Sequence, residues 1–366
     1  MADVVIAGGG VIGCATAYYL AKAGAAVTLL ERGEIGGEAS SAAAGMLVPP
    51  PWAAASGDFR DLCLASLRLY PGLVESIAGE TGIDVQYLEA GLLVPAESEP
   101  TAAALRQVAR HGGDDVVPLE WVEGEPLRRL EPGLSPALPG AAYSPSQRHV
   151  NPGLLTQALA LGAARRGAVL RQGAGVAGFV RRGGRVSGVR TGDGETVAAG
   201  HVVLAAGSWT GALARRLGAE APTPPMRGQM LAYRSNAVRH MIWGADGYLV
   251  PKAGGFVFAG ATVEDAGFRP HTTGRGLAGL RRMAGSLVPA LRYADVASAW
   301  AGLRPGSPDG LPVIGRLPGW ENVYVASGHF RNGILLGPIT GTLIAQLIAG
   351  EPAEVPLAPF RAERFG

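Results

Sequence analysis

The first thirty residues contain the pattern that most constrains how this chain can fold. Apolar runs over 4–7 and 27–30 predict two buried parallel strands, and a helix of small residues lies between them. Gly8, Gly10 and Gly13 fit the spacing G-x-G-x-x-G, with a strand before the pattern and a helix after it. We therefore predict a βαβ unit that binds a dinucleotide.

Each glycine of this fingerprint has a distinct physical role. Gly8 permits a tight turn, Gly10 lets a pyrophosphate approach the backbone, and Gly13 lets the helix pack closely on the strand. The phosphates would lie beside Val11 and Ile12, because the unpaired N–H groups and the dipole of a helix N-terminus favour negative charge.

Glu31 and Arg32 follow the second predicted strand. A carboxylate at this point accepts hydrogen bonds from a ribose diol and repels a 2′-phosphate. The dinucleotide is therefore FAD or NAD and not NADP. The alternative, a glycine-rich turn in an ordinary α/β domain, is disfavoured by the strand and helix on either side.

Composition restricts the remaining classes of protein. The chain has 366 residues, 48% hydrophobic and 17% charged, which is enough for two well-buried domains. The net charge is +2 and the basic residues are dispersed, so we expect no nucleic acid partner. The two cysteines and six separated histidines form neither a disulfide framework nor a metal motif.

No segment predicts a membrane anchor. The apolar stretch 334–349 is interrupted by glycine and proline and is shorter than the ~20 residues that span a bilayer. A strand that starts at residue 4 leaves no room for a signal peptide. We expect a soluble cytoplasmic protein.

The rest of the chain alternates between helical and strand-like stretches. Helices are predicted over 59–80, 101–110, 151–166 and 275–287, the third with Asn151 as N-cap. Residues 85–94 predict a hairpin or edge strand, and 168–171, 176–181 and 185–191 an antiparallel meander. Further strands are predicted over 201–207, 229–234, 248–251, 256–261, 295–304 and 322–326, with 248–251 and 256–261 paired.

These elements predict an α/β fold with two domains. The first is a Rossmann-like dinucleotide-binding domain, a parallel sheet with an antiparallel meander, built from residues 1–50, 141–218 and 305–366. The second, built from 51–140 and 219–304, is an inserted α+β substrate domain with a mainly antiparallel sheet. By composition alone the small residues 36–46 fit a plain linker as well as a second loop that approaches a phosphate or a ring.

Residues 37–46, 300–305 and 328–336 join the glycine fingerprint in giving the chain a family resemblance. In their order and spacing they resemble the D-amino-acid oxidase/glycine oxidase family of FAD-dependent amine oxidoreductases, and the resemblance covers nearly the whole chain. It implies FAD as cofactor. Covalent attachment in that family uses a Cys in the C-terminal half or a His within 40–46, and neither is present, so we expect non-covalent FAD.

The resemblance also implies which residues bind FAD. The helix expected from Gly333 would direct its positive end at the pyrimidine end of the flavin, where charge accumulates on reduction. The expected FAD contacts are Gly8, Gly10, Val11, Ile12, Gly13, Glu31, Arg32, Ser40, Ser41, Ala43, Ala44, Gly45, Met46, Val176, Ala206, Gly207, Trp209, Arg331, Asn332, Gly333, Ile334 and Leu335.

For the substrate, the resemblance implies that Arg304 binds a carboxylate, for which its planar fork is better suited than lysine. Tyr248 would share that carboxylate, and Arg331 would orient the substrate or neutralise reduced flavin. We expect His329 to be a packed or capping histidine. Val263 stands where glycine-oxidising members often carry Met, which predicts a wider pocket.

The reaction implied is oxidative deamination of glycine and other small amines or amino acids, including sarcosine and small D-amino acids. Hydride would pass to flavin N5 and oxygen would be reduced to hydrogen peroxide, with the imine supplied to thiazole (thiamine) biosynthesis. Alternatives are a sarcosine oxidase, a D-amino-acid dehydrogenase, or a flavoprotein subunit of an electron-transfer assembly. The resemblance further suggests a homo-oligomer, a tetramer.

Overall fold

The structure is a computed structural model that describes residues 2–49, 57–110 and 117–366, so the expected domain boundary at residues 50–51 lies outside the described residues. The strands are β1 (Ala2–Ala7), β2 (Val27–Leu30), β3 (Met46–Leu47), β4 (Leu88–Glu89), β5 (Leu92–Pro95), β6 (Glu120–Val122), β7 (Ala141–Ser144), β8 (Arg148–His149), β9 (Val169–Arg171), β10 (Val176–Arg182), β11 (Arg185–Thr191), β12 (Thr196–Leu204), β13 (Pro225–Arg234), β14 (Met241–Gly244), β15 (Gly247–Lys252), β16 (Phe256–Gly260), β17 (Glu264–Asp265), β18 (Asp295–Pro305), β19 (Val313–Arg316) and β20 (Val323–Ser327). The helices are α1 (Val11–Lys22), α2 (Ala39–Ala42), α3 (Gly57–Thr81), α4 (Glu99–Arg110), α5 (Gly124–Leu130), α6 (Pro152–Arg165), α7 (Thr210–Arg216), α8 (Gly274–Leu287) and α9 (Gly333–Ala349).

The first large sheet has the strand order β10-β11-β12-β1-β2-β9, with β20 beside β12 and β19 beside β20. Its centre is parallel: β1 pairs with β2 and β12, and β12 pairs with β20. The expected βαβ unit is confirmed, as is the antiparallel arrangement of β10, β11 and β12.

One strand assigned to the meander belongs elsewhere. β9 pairs in parallel with β2 at the opposite edge of the sheet, so it is not part of the meander. The helix α6 comes directly before β9 and provides the crossover that a parallel neighbour requires. The prediction placed β9 in the meander because it lies next to β10 in the sequence, and that assignment is wrong.

Four helices cover one face of this sheet and share one core. α1, α3, α6 and α9 contribute buried side chains that include Tyr18, Tyr70, Leu159 and Leu343. α6 begins as expected, with the Asn151 side chain accepting a hydrogen bond from the N–H of Leu154 at 3.2 Å.

The second large sheet has the order β17-β13-β16-β15-β14-β5-β7-β6, with β18 on the other side of β13. Its pairs are antiparallel except for β14 with β5, and the expected β15–β16 hairpin is confirmed. α8 buries Leu280, Met283 and Leu287 in a core that it shares with this sheet. A mainly antiparallel second sheet with helices is therefore present.

Two of the short strands around this sheet have partners that local sequence patterns did not indicate. Of the two alternatives for residues 85–94, the hairpin is wrong: β4 is the edge strand of a small sheet in which it pairs with β8, while β5 pairs with β7 and β14. β7 itself lies in the second large sheet, whereas the predicted boundaries place residues 141–218 in the dinucleotide-binding domain. Short strands take their partners from distant parts of the chain. The domain boundaries stay a prediction.

Candidate active site

A long cleft with a volume of about 380 Å³ is lined by residues of both large sheets. The predicted site residues that line it are Gly8, Gly10, Val11, Ile12, Glu31, Arg32, Ser40, Ala43, Ala44, Gly45, Met46, Val176, Ala206, Gly207, Trp209, Tyr248, Arg304, Arg331, Asn332, Gly333 and Ile334. We call the part beside β1 and β2 the dinucleotide end, and the part beside Arg304 and Tyr248 the substrate end.

At the dinucleotide end, the turn between β1 and α1 has no space for side chains. Gly8 has φ +114°, and a Cβ there would overlap the carbonyl of Ala205. A Cβ on Gly13 would overlap the carbonyl oxygen of Gly8, which brings the helix directly against the turn. The expected roles of both glycines therefore match the geometry.

The N-terminus of α1 leaves donors directed at the cleft. The N–H of Val11 donates to the buried Oγ of Ser40 at 2.9 Å. The N–H groups of Ile12 and Gly13 precede the first intrahelical bond, which Cys14 makes to the Gly10 carbonyl at 2.9 Å. These two N–H groups have no hydrogen-bond partner among the described residues, so they fit the phosphates of a dinucleotide.

Glu31 is held at the edge of this turn by two backbone donors. The N–H of Gly9 lies 2.7 Å from its Oε2, and the N–H of Gly33 lies 2.8 Å from its Oε1. Each carboxylate oxygen retains a further lone pair. The carboxylate is thus oriented in advance to accept hydrogen bonds from a ribose diol.

A stack of side chains lies at the outer part of the dinucleotide end. The guanidinium of Arg32 lies 3.6 Å from the ring centroid of Trp209 and forms an ion pair with Glu38. The Trp209 ring is in turn 5.2 Å from that of Phe268, which is half exposed. These planar groups offer a surface for an adenine ring.

Residues 40–46 run along the cleft and are held from two sides, by Trp300 of β18 and by residues 149–150. The indole N–H of Trp300 on β18 donates to the Ala42 carbonyl at 3.0 Å. The Gly45 carbonyl accepts from the N–H of Val150 at 2.9 Å, and Met46 pairs with His149 of β8. The structure therefore places this segment on the cleft wall and rules out a plain linker.

Arg304 ends β18 at the substrate end, and its guanidinium lies against the backbone of Gly228. A Cβ at position 228 would overlap that guanidinium, so glycine is needed there. One N–H of Arg304 donates to the carbonyl of Thr262 at 2.9 Å, and no carboxylate pairs with it among the described residues. Donors that remain free can bind an anion in the cleft.

Arg331 and Tyr248 lie on the same side of the cleft as Arg304. The Arg331 guanidinium is 5.6 Å from the Trp243 ring centroid, and the Trp243 and Tyr248 rings are 6.3 Å apart. Surrounding protein lowers the pKa of Arg331, the positive charge of Arg304 lowers it further, and Tyr248 opposes both. Two neighbouring guanidinium cations in one cleft attract a negatively charged ligand.

His329 lies on the cleft wall between the two ends and is almost fully buried. Burial lowers the pKa of its imidazole to about 3, so the ring is neutral near pH 7. Its Nε2 is 3.0 Å from the Thr340 hydroxyl, while its Nδ1 has no partner in the described structure. This is the packed histidine that the sequence predicts, with one nitrogen left for a ligand.

Three of the expected cofactor residues do not line the cleft. Gly13 acts through packing, as described above. Ser41 lies on the exposed side of α2, one position after the buried Ser40. Leu335 is buried in the core, where its carbonyl accepts a hydrogen bond from Ser66 at 2.6 Å.

Sequence reasoning missed two residues of the substrate end. Trp243 lies on β14, a strand that was not predicted, although the short apolar run 241–243 before a Gly-x-x-Gly turn was a usable signal. Gly228 had no local signal, because its importance comes only from the guanidinium that packs on it.

The described residues also bear on two other features, a metal site and a membrane-spanning helix. Across residues 2–49, 57–110 and 117–366, no cluster of three His, Cys, Asp or Glu side chains could hold a metal ion. None of the described helices combines the length and the apolar character needed to cross a bilayer.

Comparison with known proteins decides the family. Residues 3–347 match the family model described as FAD dependent oxidoreductase. The chain belongs to this family. This FAD-dependent oxidoreductase has a cleft that fits the cofactor. At one end are the glycine turn, the N–H groups of Ile12 and Gly13, and the oriented carboxylate of Glu31. Further along, the N-terminus of α9 lies beside the Nδ1 of His329, which has no partner among the described residues.

The FAD-dependent oxidoreductases that it resembles include glycine oxidases. Glycine oxidase from Pseudomonas putida is 36% identical over 365 residues, which cover 99% of this chain and 98% of that protein. The crystal structure of glycine oxidase from Geobacillus kaustophilus has a TM-score of 0.93 at 35% identity, with 99% of this chain and 98% of that chain covered. Bifunctional protein ThiO/ThiG from Nostoc sp. is 35% identical over 368 residues, covering 99% of this chain and 55% of that protein.

Proposed function

We propose that this FAD-dependent oxidoreductase oxidises glycine and other small amines or amino acids, such as sarcosine and small D-amino acids, and reduces oxygen to hydrogen peroxide. The observation that carries the proposal is Arg304, a guanidinium without a carboxylate partner among the described residues, in the same cleft as the FAD cradle. The glycine oxidases of similar length and fold support it.

The chain's own residues bind and orient the substrate. Arg304 would donate hydrogen bonds to the substrate carboxylate, with the Tyr248 hydroxyl as a further donor and the charge of Arg331 nearby. When bound, FAD supplies the acceptor for the two electrons and the hydrogen that leave the α-carbon. The catalytic contribution of the protein is therefore mainly orientation.

The cleft offers no base for removal of the α-proton. Its acidic lining residues in the described structure are Glu31, Glu34 and Glu38, all at the dinucleotide end. His329 is a weak base, because burial lowers the pKa of its imidazole to about 3, and its Nε2 lies 3.0 Å from the Thr340 hydroxyl. This favours loss of hydride from the neutral amine and gives an imine, which is released or hydrolysed to the oxo acid and ammonia.

We also propose that the imine product supplies a thiazole (thiamine) synthesis, on the basis of the similarity to bifunctional protein ThiO/ThiG. The rival functions, a sarcosine oxidase, a D-amino-acid dehydrogenase and an electron-transfer subunit, differ in a simple test. Peroxide formed in air from glycine separates an oxidase from a dehydrogenase or subunit, and a panel of amines ranks glycine against sarcosine and D-alanine.

Further proposals rest on the family resemblance. We infer non-covalent FAD, which acid precipitation would release from the protein. We also infer a homotetramer in the cytoplasm, which sedimentation equilibrium and cell fractionation would examine.

The decisive experiment is Arg304→Ala. We expect the KM for glycine to rise by about 100-fold, roughly 2.7 kcal/mol, because a charge-assisted bidentate contact is lost. The purified variant should still bind FAD, since the cradle is made by other residues. Arg234→Ala is a matched control, because Arg234 lies on β13 of the same sheet and is not part of the cleft lining. An unchanged KM in Arg304→Ala would refute the carboxylate role.

A further inference from the structure

The orientation of the Arg304 guanidinium depends on a short segment around Thr262. The side chains of that segment do not line the cleft. Its guanidinium donates to the carbonyl oxygen of Thr262, which lies between β16 and β17. This carbonyl is the only hydrogen-bond partner of the Arg304 guanidinium among the described residues. It therefore determines where the flexible side chain points. What fixes Thr262 therefore helps to fix the guanidinium.

Gln229 on β13 fixes the Thr262 segment from below. Its backbone N–H donates to the Thr262 hydroxyl at 2.9 Å. Its side-chain Nε2 donates to Glu264 at 2.7 Å and to the Thr273 hydroxyl at 3.0 Å, and its Oε1 accepts from the Thr273 N–H at 2.7 Å. Gln229 is fully buried, so both amide donors and the amide oxygen are used internally.

Glu264, two residues after Thr262, is the acidic member of this network. It forms an ion pair with Arg227, which is 8% exposed, through both Nε and Nη2. Burial acts to raise the pKa of Glu264, but hydrogen bonds from Thr262, Arg227 and Gln229 outweigh it and the pKa is lowered. The carboxylate thus remains ionised and is neutralised by Arg227, which leaves Arg304 free for a ligand.

The packing around the amide is equally close. Gly276, in the first turn of α8, would overlap the Gln229 amide if it carried a Cβ. Thr273 caps the same helix by accepting the Gly276 N–H at 3.1 Å. The amide is therefore held between β13 and the start of α8, and a different orientation would cost these hydrogen bonds.

We infer that Gln229 is a positioning residue that, through Thr262 and Glu264, directs the Arg304 guanidinium at the substrate carboxylate. The inference rests on the proposed function, because it needs Arg304 to bind that carboxylate. Gln229 itself does not touch the cleft, so its removal should weaken carboxylate binding and leave FAD in place.

The test uses the FAD-loaded protein and Gln229→Leu, with Thr262→Val as a second, milder variant that keeps the carbonyl and removes the hydroxyl. We expect Gln229→Leu to raise both the KM for glycine and the Kd of acetate by about tenfold, with kcat within about twofold of wild type. We expect about threefold for Thr262→Val. Acetate binding is measured by titration of the flavin spectrum and is independent of turnover.

A double-mutant cycle separates positioning from general damage. In the Arg304→Ala background, Gln229→Leu should change the KM for glycine by less than about twofold, because the group it positions is absent. Gln147→Leu is the matched control: Gln147 is also buried, its contacts are with Ser144 and residues 90–91, and KM should stay at the wild-type value.

The outcomes distinguish the two proposals. If Arg304→Ala alone leaves the KM unchanged, the proposed function fails whatever Gln229 does. If Arg304→Ala raises the KM but Gln229→Leu and Thr262→Val do not, or if the effects of Gln229→Leu and Arg304→Ala simply add, the positioning role is wrong.

Discussion

The two ends of the cleft present different kinds of atoms to their ligands. At the dinucleotide end the phosphate site is made of backbone N–H groups, from a turn in which Gly8 and Gly13 leave no room for a Cβ. At the substrate end the protein offers side chains, Arg304 of β18, Tyr248 of β15 and Arg331 of the loop before α9. A backbone site is fixed by local geometry, whereas a side-chain site needs distant residues to hold its groups.

This difference determines how each end should respond to substitution. A change at the dinucleotide end alters the path of the chain and should affect cofactor binding and folding together. A change at the substrate end, such as Arg304→Ala or Gln229→Leu, should alter substrate affinity alone. The following variants examine that contrast, in order of decreasing effect.

Gly13→Ala should have the largest effect. Its Cβ would meet the carbonyl of Gly8, so β1 and α1 must separate, and we expect the free energy of unfolding to fall by about 3 kcal/mol or more. The purified protein should be colourless. Chemical denaturation and flavin absorbance provide the measurements.

Gly72→Ala serves as the control for that substitution, because Gly72 lies in α3 and a Cβ there has nothing within 4 Å. It should stay yellow and gain about 0.5–1 kcal/mol from helix propensity. If Gly13→Ala is yellow and as stable as Gly72→Ala, the backbone does not constrain the dinucleotide end in the way described.

The substitution His329→Gln affects the cleft wall beside the N-terminus of α9. Its effect on the free energy of unfolding depends on pH. The pKa of His329 falls from 6.5 to about 3 on folding, so the unfolded chain takes up a proton first as pH falls. The wild type should lose stability between pH 6.5 and about 3, by up to about 1.4 kcal/mol per pH unit, with no further loss from this group below that range.

Gln cannot titrate and can still bond to the Thr340 hydroxyl. The free energy of unfolding of the wild type should therefore fall relative to that of His329→Gln as pH decreases from 6.5. Above pH 6.5 the difference between the two proteins should be constant. Urea denaturation at a series of pH values measures this difference. Parallel pH profiles would show that folding does not lower the pKa of His329.

Trp300→Phe should have the smallest effect, and it probes the link between the two ends. It removes the indole N–H that donates to Ala42 and keeps a ring beside Phe258, whose centroid is 5.0 Å away. We expect the Kd for FAD to rise about fivefold, near 1 kcal/mol, with little change in the KM for glycine.

Trp320→Phe is the matched control, because its indole also donates to a backbone carbonyl, that of Leu217, at 3.0 Å. That bond is not part of the cleft lining, so FAD affinity should equal the wild-type value. Equal losses of FAD affinity in both variants would contradict a specific role for the Ala42 contact.

The same contrast explains which parts of the structure the sequence could predict. The turn at Gly8 and Gly13, the cap at Asn151 and the β15–β16 hairpin depend on neighbouring residues, so local patterns indicate them. The resemblance located Arg304 and Tyr248, and the cleft brings them together.

The parts that the sequence could not predict depend on pairing between distant segments. β9 joins β2 through a crossover, and β7 pairs with the distant β5, and no local pattern encodes either pairing. Gly228 and Gln229 have no motif of their own, since Gly228 packs against a guanidinium 76 positions later in the chain and Gln229 bonds to a hydroxyl 33 positions later. Trp243 was within reach, as a short apolar run beside a turn.

The contact between α1 and α9 has a consequence for folding of the chain during its synthesis on the ribosome. Gly341 of α9 lies so close to α1 that a Cβ would be 2.8 Å from the carbonyl oxygen of Ala15, and Tyr70 of α3 donates to the carbonyl of Ile334. The glycine turn is translated before α9, the helix that packs behind it, which follows more than 300 residues later. A nascent chain therefore exposes an incomplete cofactor cradle until α9 has emerged, and firm capture of the cofactor must wait for that helix.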